Sequence, residues 1–164
     1  MDEFQCYVKP PPGRTAQKGV PHEISSNELK NAKPFGEHCG PGFIKFIDKH
    51  LGESRLVVVV GHNAKRYDHR LLFFHGFVPP KGARVRFADS IEWMKHVTVG
   101  VFPSYSIDSL HKSFFGKPPP AAHNAIPDCY ALTRIINTDK YRVDSDIAWL
   151  KSEPWHNIRS RCCK

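Results

Sequence analysis

Two groups of polar residues have the side chains needed for metal-assisted chemistry. The first follows the apolar run LVVVV and consists of His62, Asn63 and Asp68, in the stretch GHNAKRYDHRLL. The second, in HNAIPDCYAL, places His123 five residues before Asp128. Carboxylates hold divalent ions such as Mg²⁺ together with water and phosphate oxygens, and phosphodiester hydrolysis also needs a base near the attacking water. Asp68 and Asp128 could therefore act as ligands, with His123 as the base.

Each of these residues also has an ordinary explanation. Asp68 and Asp128 both stand where helices are predicted to begin, and the helix dipole favours acidic side chains in a first turn. Nearby Lys65, Arg66 and Arg70 could bind phosphate, or they could form a solvated basic helix face. The two acids taken together with the histidine favour a site over these separate explanations.

The elements that must position these groups alternate between strands and helices. RLVVVVG is β-branched without polar alternation, which predicts a strand over residues 56–60 that is buried on both faces. Apolar residues spaced i, i+3, i+4 and i+8 predict an amphipathic helix over residues 42–51. FQCYVKP predicts an opening strand over residues 4–10, because it is rich in aromatic and β-branched residues.

Further elements follow the valine strand. RYDHRLLFFHG predicts a helix that ends at Gly76, and RVRFADSIEWM predicts a strand that runs into a helix at Asp89 or Ser90. The remaining helices are predicted in SYSIDSLHKSFFG, capped by Ser104 or Ser106, in PDCYALTRII and in SDIAWLKS. The pattern predicts an α/β fold.

Composition sets the class of protein and its partners. A chain of 164 residues suits one domain over residues 1–164, with residues 137–164 as a C-terminal helix and tail. The formal net charge of +8 favours polyanions such as nucleic acid, although a merely basic protein is an equal alternative. The longest apolar run is too short to cross a bilayer, so we expect no membrane partner. Five cysteines without a CxxC pair or secretory signal predict an intracellular protein, nuclear or cytoplasmic, without a disulfide framework.

The two motifs resemble a known family. GHNAKRYDHRLL is similar to the second motif, and HNAIPDCYAL to the third, of the DEDDh 3′–5′ exonucleases in the DnaQ-like, ribonuclease H-like superfamily. The spacing HN-x₃-YD is closest to the TREX branch. The segments FQCYVKP, which resembles the family's outer strand, VPHEIS, FADSIEWMK and YSIDSLHKSFFGKPPPAAH are also similar to the family, so the similarity covers about residues 4–136. It implies a ribonuclease H-like mixed sheet flanked by helices.

The resemblance also implies an activity. The family removes nucleotides from the 3′ ends of DNA with Mg²⁺, or alternatively Mn²⁺, as cofactor. Its pattern makes His123 the general base, while Asp68 and Asp128 become metal ligands. Single-stranded DNA 3′ ends are the implied partner, and a homodimer formed through a sheet edge is implied as well. The residues implied to contact the substrate or steady its loop are His22, Ile24, Asn63 and Arg66.

The chain departs from the family at the first motif, a D-x-E sequence that supplies two further metal ligands. No D-x-E occurs in the 164 residues. By the resemblance, the chain corresponds to a fold without its first two strands, which exposes strand edges. Two carboxylates carry too little charge to hold two ions about 4 Å apart. We therefore expect an impaired or N-terminally incomplete exonuclease, with a non-catalytic nucleic-acid-binding or interaction module as the alternative and a small-ligand α/β domain as a distant third.

Overall fold

The two longest strands pair in parallel and carry the apolar runs of the sequence. The computed structural model describes residues 2–9, 24, 26–51, 56–120, 125–141 and 144–163. Strand β1 (Leu56–Gly61) runs beside β2 (Arg84–Asp89), and a short β3 (Glu153–Pro154) is antiparallel to β2. The order in this mixed three-stranded sheet is β1-β2-β3. Because Gly61 pairs with Asp89, the residues that follow β1 and β2 meet at one end of the sheet.

Helices account for most of the remaining described chain, so the predicted α/β class is confirmed. Ser106, rather than Ser104, caps the helix that follows it, because its hydroxyl accepts a hydrogen bond from the N–H of Ser109 at 3.2 Å. The same helix ends at Gly116, which has a left-handed φ of 75°. The helices are α1 (Ser26–Lys30), α2 (Cys39–Lys49), α3 (Asp68–Phe74), α4 (Ser90–Val97), α5 (Ile107–Phe115), α6 (Ala125–Ile136), α7 (Ser145–Leu150) and α8 (Trp155–Cys162).

Two apolar clusters form the core. In the first, Phe87 of β2 is fully buried and its ring lies 5.9 Å from that of Phe77 and 5.2 Å from that of Trp155. The second cluster joins α4, α5 and α6 through Met94, Leu110 and Ile135, none of which is exposed. Each such side chain stabilises the fold by about 1.5–3 kcal/mol through burial. The second cluster therefore fixes α6, which carries Asp128, against the helix that follows β2.

The prediction that β1 is buried on both faces is wrong. All its residues are half-buried, and among the described residues it pairs only with β2, so it lies at the edge of this sheet. A cleft of about 480 Å³ lies along it, lined by Val59 and Val60 together with Phe43 and Leu72. We name this the apolar cleft. The β-branched run has the composition of a covered strand, but the described chain covers only part of it.

The strand predicted over residues 4–10 is also absent from the described part of that segment. Residues 2–9 make a single parallel bridge, Val8 with Lys33, and the N–H of Lys9 donates to the carbonyl of Lys33 at 3.0 Å. The segment packs instead on α2, where the ring of Phe4 lies 6.3 Å from that of Phe43. Its residues favour a strand, but a ladder also needs a neighbouring strand.

One disulfide bond contradicts the expectation drawn from the cysteine count. Cys6 and Cys39 are bonded, with their Cα atoms 5.8 Å apart, although 33 residues separate them in the sequence. The free cysteines are Cys129, Cys162 and Cys163. An odd total is compatible with one bond and three thiols, so the count alone could not decide the question.

The C-terminal part holds more structure than the one predicted helix. The helix expected in SDIAWLKS is confirmed as α7, but β3 and α8 were not predicted. Trp155, Ile158 and Cys162 are spaced i, i+3 and i+7, which is the helical signal that identifies α8. Within the described part of the chain, every helix is too short or too polar to span a bilayer.

Candidate functional site

The loop after β1 carries the first group of predicted residues. Asn63 has a left-handed φ of 57°, which Asn adopts more readily than most residues other than glycine. The turn leads into α3 and brings the carboxylate of its first residue, Asp68, back over Gly61. A Cβ atom at Gly61 would lie 2.8 Å from Cβ of Ala64 and 3.4 Å from Oδ2 of Asp68. Glycine is therefore required for this close approach.

A buried carboxylate holds this loop in place. Asp89, at the end of β2, is 4% exposed and accepts hydrogen bonds from the N–H groups of Asn63 at 3.0 Å, Lys65 at 3.1 Å and Ile91 at 3.0 Å. The third bond caps α4, while the first two reach across to the loop after β1. One side chain thus ties together the two segments that follow the parallel strands.

His62 strengthens the same junction. Its Nδ1 lies 2.9 Å from the hydroxyl oxygen of Ser90, which is fully buried at the start of α4. Burial lowers the pKa of His62, and this effect exceeds the opposing influence of Asp89, of a hydrogen bond with the backbone of Tyr105, and of Asp128. The ring is therefore mostly neutral at pH 7. Because the charge of Asp128 acts on the His62 ring, the start of α6 lies near the end of β1.

The two predicted metal ligands open onto different clefts. Asp68 lines the apolar cleft, whereas Asp128 lines a second cleft of about 800 Å³. We name the second one the polar cleft; its lining includes Asn63, Lys95 and Tyr105. Burial raises the pKa of the Cys129 thiol, and the negative charges of Asp128 and then Asp68 add to the rise, so both acids lie within electrostatic reach of this thiol.

Asp68 lies in surroundings that disfavour its charge. Burial of the carboxyl raises its pKa, its own backbone N–H opposes the rise, and the charge of Asp89 adds to it. The residue as a whole is exposed, so solvent moderates the effect.

The described residues do not by themselves complete a metal site. Among them, no three His, Cys, Asp or Glu side chains lie close enough together to hold a metal ion. Asp68 and Asp128 are two carboxylates on separate clefts, fewer than a two-ion centre requires. The predicted base, His123, lies outside the described residues, as does His22.

The remaining predicted residues lie on the surface. Ile24 is 38% exposed. The guanidinium of Arg66 lies 5.5 Å from the centre of the Tyr67 ring. Lys65 does not offer a free charge, because its ammonium lies 2.6 Å from a carboxylate oxygen of Glu92. Of the three basic residues proposed for phosphate binding, Arg66 and Arg70 remain exposed.

Sequence reasoning missed the roles of Asp89 and Ser90, which it identified only as the start of a helix. The signal was present in the sequence. HN follows one predicted strand and ADS ends the next, and the carboxyl ends of neighbouring parallel strands are a common position for functional residues. Reading the two stretches as one junction would have predicted their contact.

Comparison with known proteins adds no family assignment. A scan against protein-family models finds no match to the chain, and a search of curated proteins finds no significantly similar sequence.

The thiol of Cys129 provides a test of the arrangement of the two acids. In a protein with Cys162 and Cys163 replaced by Ser and the disulfide intact, Asp68→Asn and Asp128→Asn should each speed the reaction of Cys129 with iodoacetamide. Each acid raises the thiol pKa through its charge, so removing one charge should lower that pKa, and in water-like surroundings we expect a roughly twofold gain in rate. Asp108→Asn, on the rim of the polar cleft, is the control and should change nothing. A response to Asp128→Asn alone would contradict the placement of Asp68.

Proposed function

We propose that this chain is an exonuclease-like domain of ribonuclease H-like fold, related to the DEDDh enzymes that hydrolyse phosphodiester bonds at DNA 3′ ends. The observation that supports the proposal is that Asp68 lies over Gly61 at the end of β1, and that the charges of both Asp68 and Asp128 act on the thiol of Cys129. They are the acids that stand in the two family-like motifs, and they are 60 residues apart in the sequence.

The open edge of β1 supports the same proposal. The resemblance implies a further strand beside the valine strand, carrying the D-x-E pair. The apolar cleft lies along that side of β1 and includes Asp68 in its lining. A strand in this space would cover the half-buried valines and place its acids near Asp68.

The polar cleft has the size and lining for the terminal nucleotide. Its volume of about 800 Å³ falls in the usual range of small-ligand sites. Lys95 can neutralise a phosphate, and its Nζ lies 5.6 Å from the centre of the Tyr105 ring, which can stack on a base. Asn63 and Asp128 line the same space.

The proposal assigns His123 as the base and Asp68 and Asp128 as acids of the site. These are two of the four acids that the resemblance implies, so the 164-residue chain is expected to be impaired. Homodimer formation and a nuclear or cytoplasmic location accompany the proposal as predictions.

A second candidate function is a nucleic-acid-binding module without catalysis. It is favoured by the formal charge of +8 and by the separation of Asp68 and Asp128 into different clefts. In that case the polar cleft binds a nucleotide and the acids have no ligand role.

Nuclease activity should depend on restored carboxylates. The 164-residue chain is expected to release little or no 3′-terminal nucleotide from a labelled single-stranded oligonucleotide with Mg²⁺. Adding an N-terminal pair of strands that carries D-x-E should produce activity that a chelator abolishes, provided that the longer chain folds.

Variants of the active, extended form identify the residues involved. Replacing His123 by Ala should lower the rate about 10²- to 10⁴-fold through loss of the base, and Asp128→Ala should lower it at least as much. Asp146→Ala, at an exposed acid in the first turn of α7, serves as the matched control and should retain activity. Strong activity of the short chain that survives His123→Ala would show that the proposed site is wrong.

DNA binding tests the second candidate. Because the excess charge is basic, the short chain should bind single-stranded DNA weakly, and log K should fall linearly with log salt as counterions are released. Fluorescence anisotropy between 50 and ~300 mM salt measures this dependence. Lys95→Ala should weaken DNA binding, because Lys95 lines the polar cleft. Lys151→Ala, at the end of α7, is the matched control and should weaken binding less. Binding that does not respond to salt, or none at low salt, would exclude both functions.

A further inference from the structure

The disulfide joins the N-terminal segment to the beginning of α2. Cys39 is the first residue of that helix and is 6% exposed, while Cys6 is half-buried in the extended segment 2–9. The bond closes a long stretch of chain, with a sequence separation of 33 residues. Closing a loop of this length removes much conformational freedom from the segment.

Noncovalent contacts also attach this segment. Asp2 pairs with Lys49 at 2.7 Å, but the two side chains are 44% and 68% exposed, and exposed pairs contribute little. The backbone makes one bridge, at Val8. The Phe4 ring packs on α2, with its centre 6.0 Å from that of Phe46 and 6.3 Å from that of Phe43.

The same segment forms one wall of the apolar cleft. Val8 and Lys9 line the cleft together with Val59 and Val60 of β1, and Asp68 lies in the same lining. The position of residues 2–9 therefore controls how open the edge of β1 and the surroundings of Asp68 are.

We propose that the Cys6–Cys39 bond is a redox latch that holds residues 2–9 as the wall of the apolar cleft, and that its reduction opens the cleft. This goes beyond the proposed function and does not depend on it. A thiolate of a small dithiol attacks one sulfur and forms a mixed disulfide, and the second thiol of the reagent then displaces the remaining protein thiol. Two electrons and two protons pass to the protein, giving two cysteine thiols and the oxidised, cyclic form of the dithiol.

Thiol counting tests the bond. Air-oxidised protein, denatured and treated with iodoacetamide, should take up three labels, and protein reduced first with dithiothreitol should take up five. Peptide mapping should locate the two additional labels on Cys6 and Cys39. Five labels without reduction, or a different pair, would overturn the proposal.

Hydrogen exchange tests the opening. After reduction, amides of residues 2–9 should exchange at least tenfold faster, while those of α5 and α6 should keep their rates. Cys6→Ser should reproduce the faster exchange without any reductant, and Cys163→Ser, at an exposed free cysteine, should behave like the unaltered protein.

Two outcomes would show that the bond is not a latch. Unchanged exchange at residues 2–9 after reduction would mean that noncovalent contacts suffice to hold the segment. Faster exchange throughout α5 and α6 would mean that the bond stabilises the whole fold and does not act on one wall. Reduction of the unaltered protein gives this comparison even where Cys6→Ser fails to fold.

Discussion

The candidate site depends on the carboxylate of Asp89. A buried charge is costly unless hydrogen bonds compensate for the lost hydration, and here three backbone N–H groups, spread over two segments, point at one carboxylate. Hydrogen bonds to charged groups contribute about 1.5–3 kcal/mol each. Two of these three hydrogen bonds come from the loop after β1, so they form only when that loop lies beside α4. The cost of burying the Asp89 charge without them therefore favours this position of the loop.

Other features of the site follow from this contact. Parallel pairing places Gly61 opposite Asp89, and the bond to the N–H of Asn63 holds that residue in its left-handed conformation. Asp68 can then return over Gly61, because no Cβ occupies the space. His62, bonded to Ser90, lies within reach of the charge of Asp128 and so faces the start of α6. Two acids that are distant in sequence thereby both come within electrostatic reach of Cys129.

Periodic segments of the sequence predicted the elements well, whereas contacts between elements were harder to foresee. The helix stripe that begins near Gly42 and the stop at Gly116 depend on local spacing and backbone freedom, which a sequence displays directly. The edge position of β1 depends on which other strand is present, and the bond between Cys6 and Cys39 depends on how a segment packs on α2. Neither is a local property, so neither could be read from composition or period.

The same distinction applies to the site. Asn63, Asp68 and Asp128 were identified from motif residues, but Asp89 appeared only as a helix cap, because its bonds to the loop connect segments 24 and 26 residues away. The separation of the two acids into two clefts also had no signal in the sequence. It results from the placement of the loop after β1 between them, with Asn63 on one side and Ala64 on the other.

Amide hydrogen exchange measured by NMR tests the central role of Asp89 most directly. In Asp89→Ala, both side-chain oxygens are removed, so the N–H groups of Asn63, Lys65 and Ile91 all lose their acceptor. If Asp89 joins the two segments, the amides of Asn63, Lys65 and Ile91 should all lose protection relative to the unaltered protein, while β2 keeps its own. Loss of protection at Ile91 alone would show that Asp89 merely caps α4, and would contradict the account.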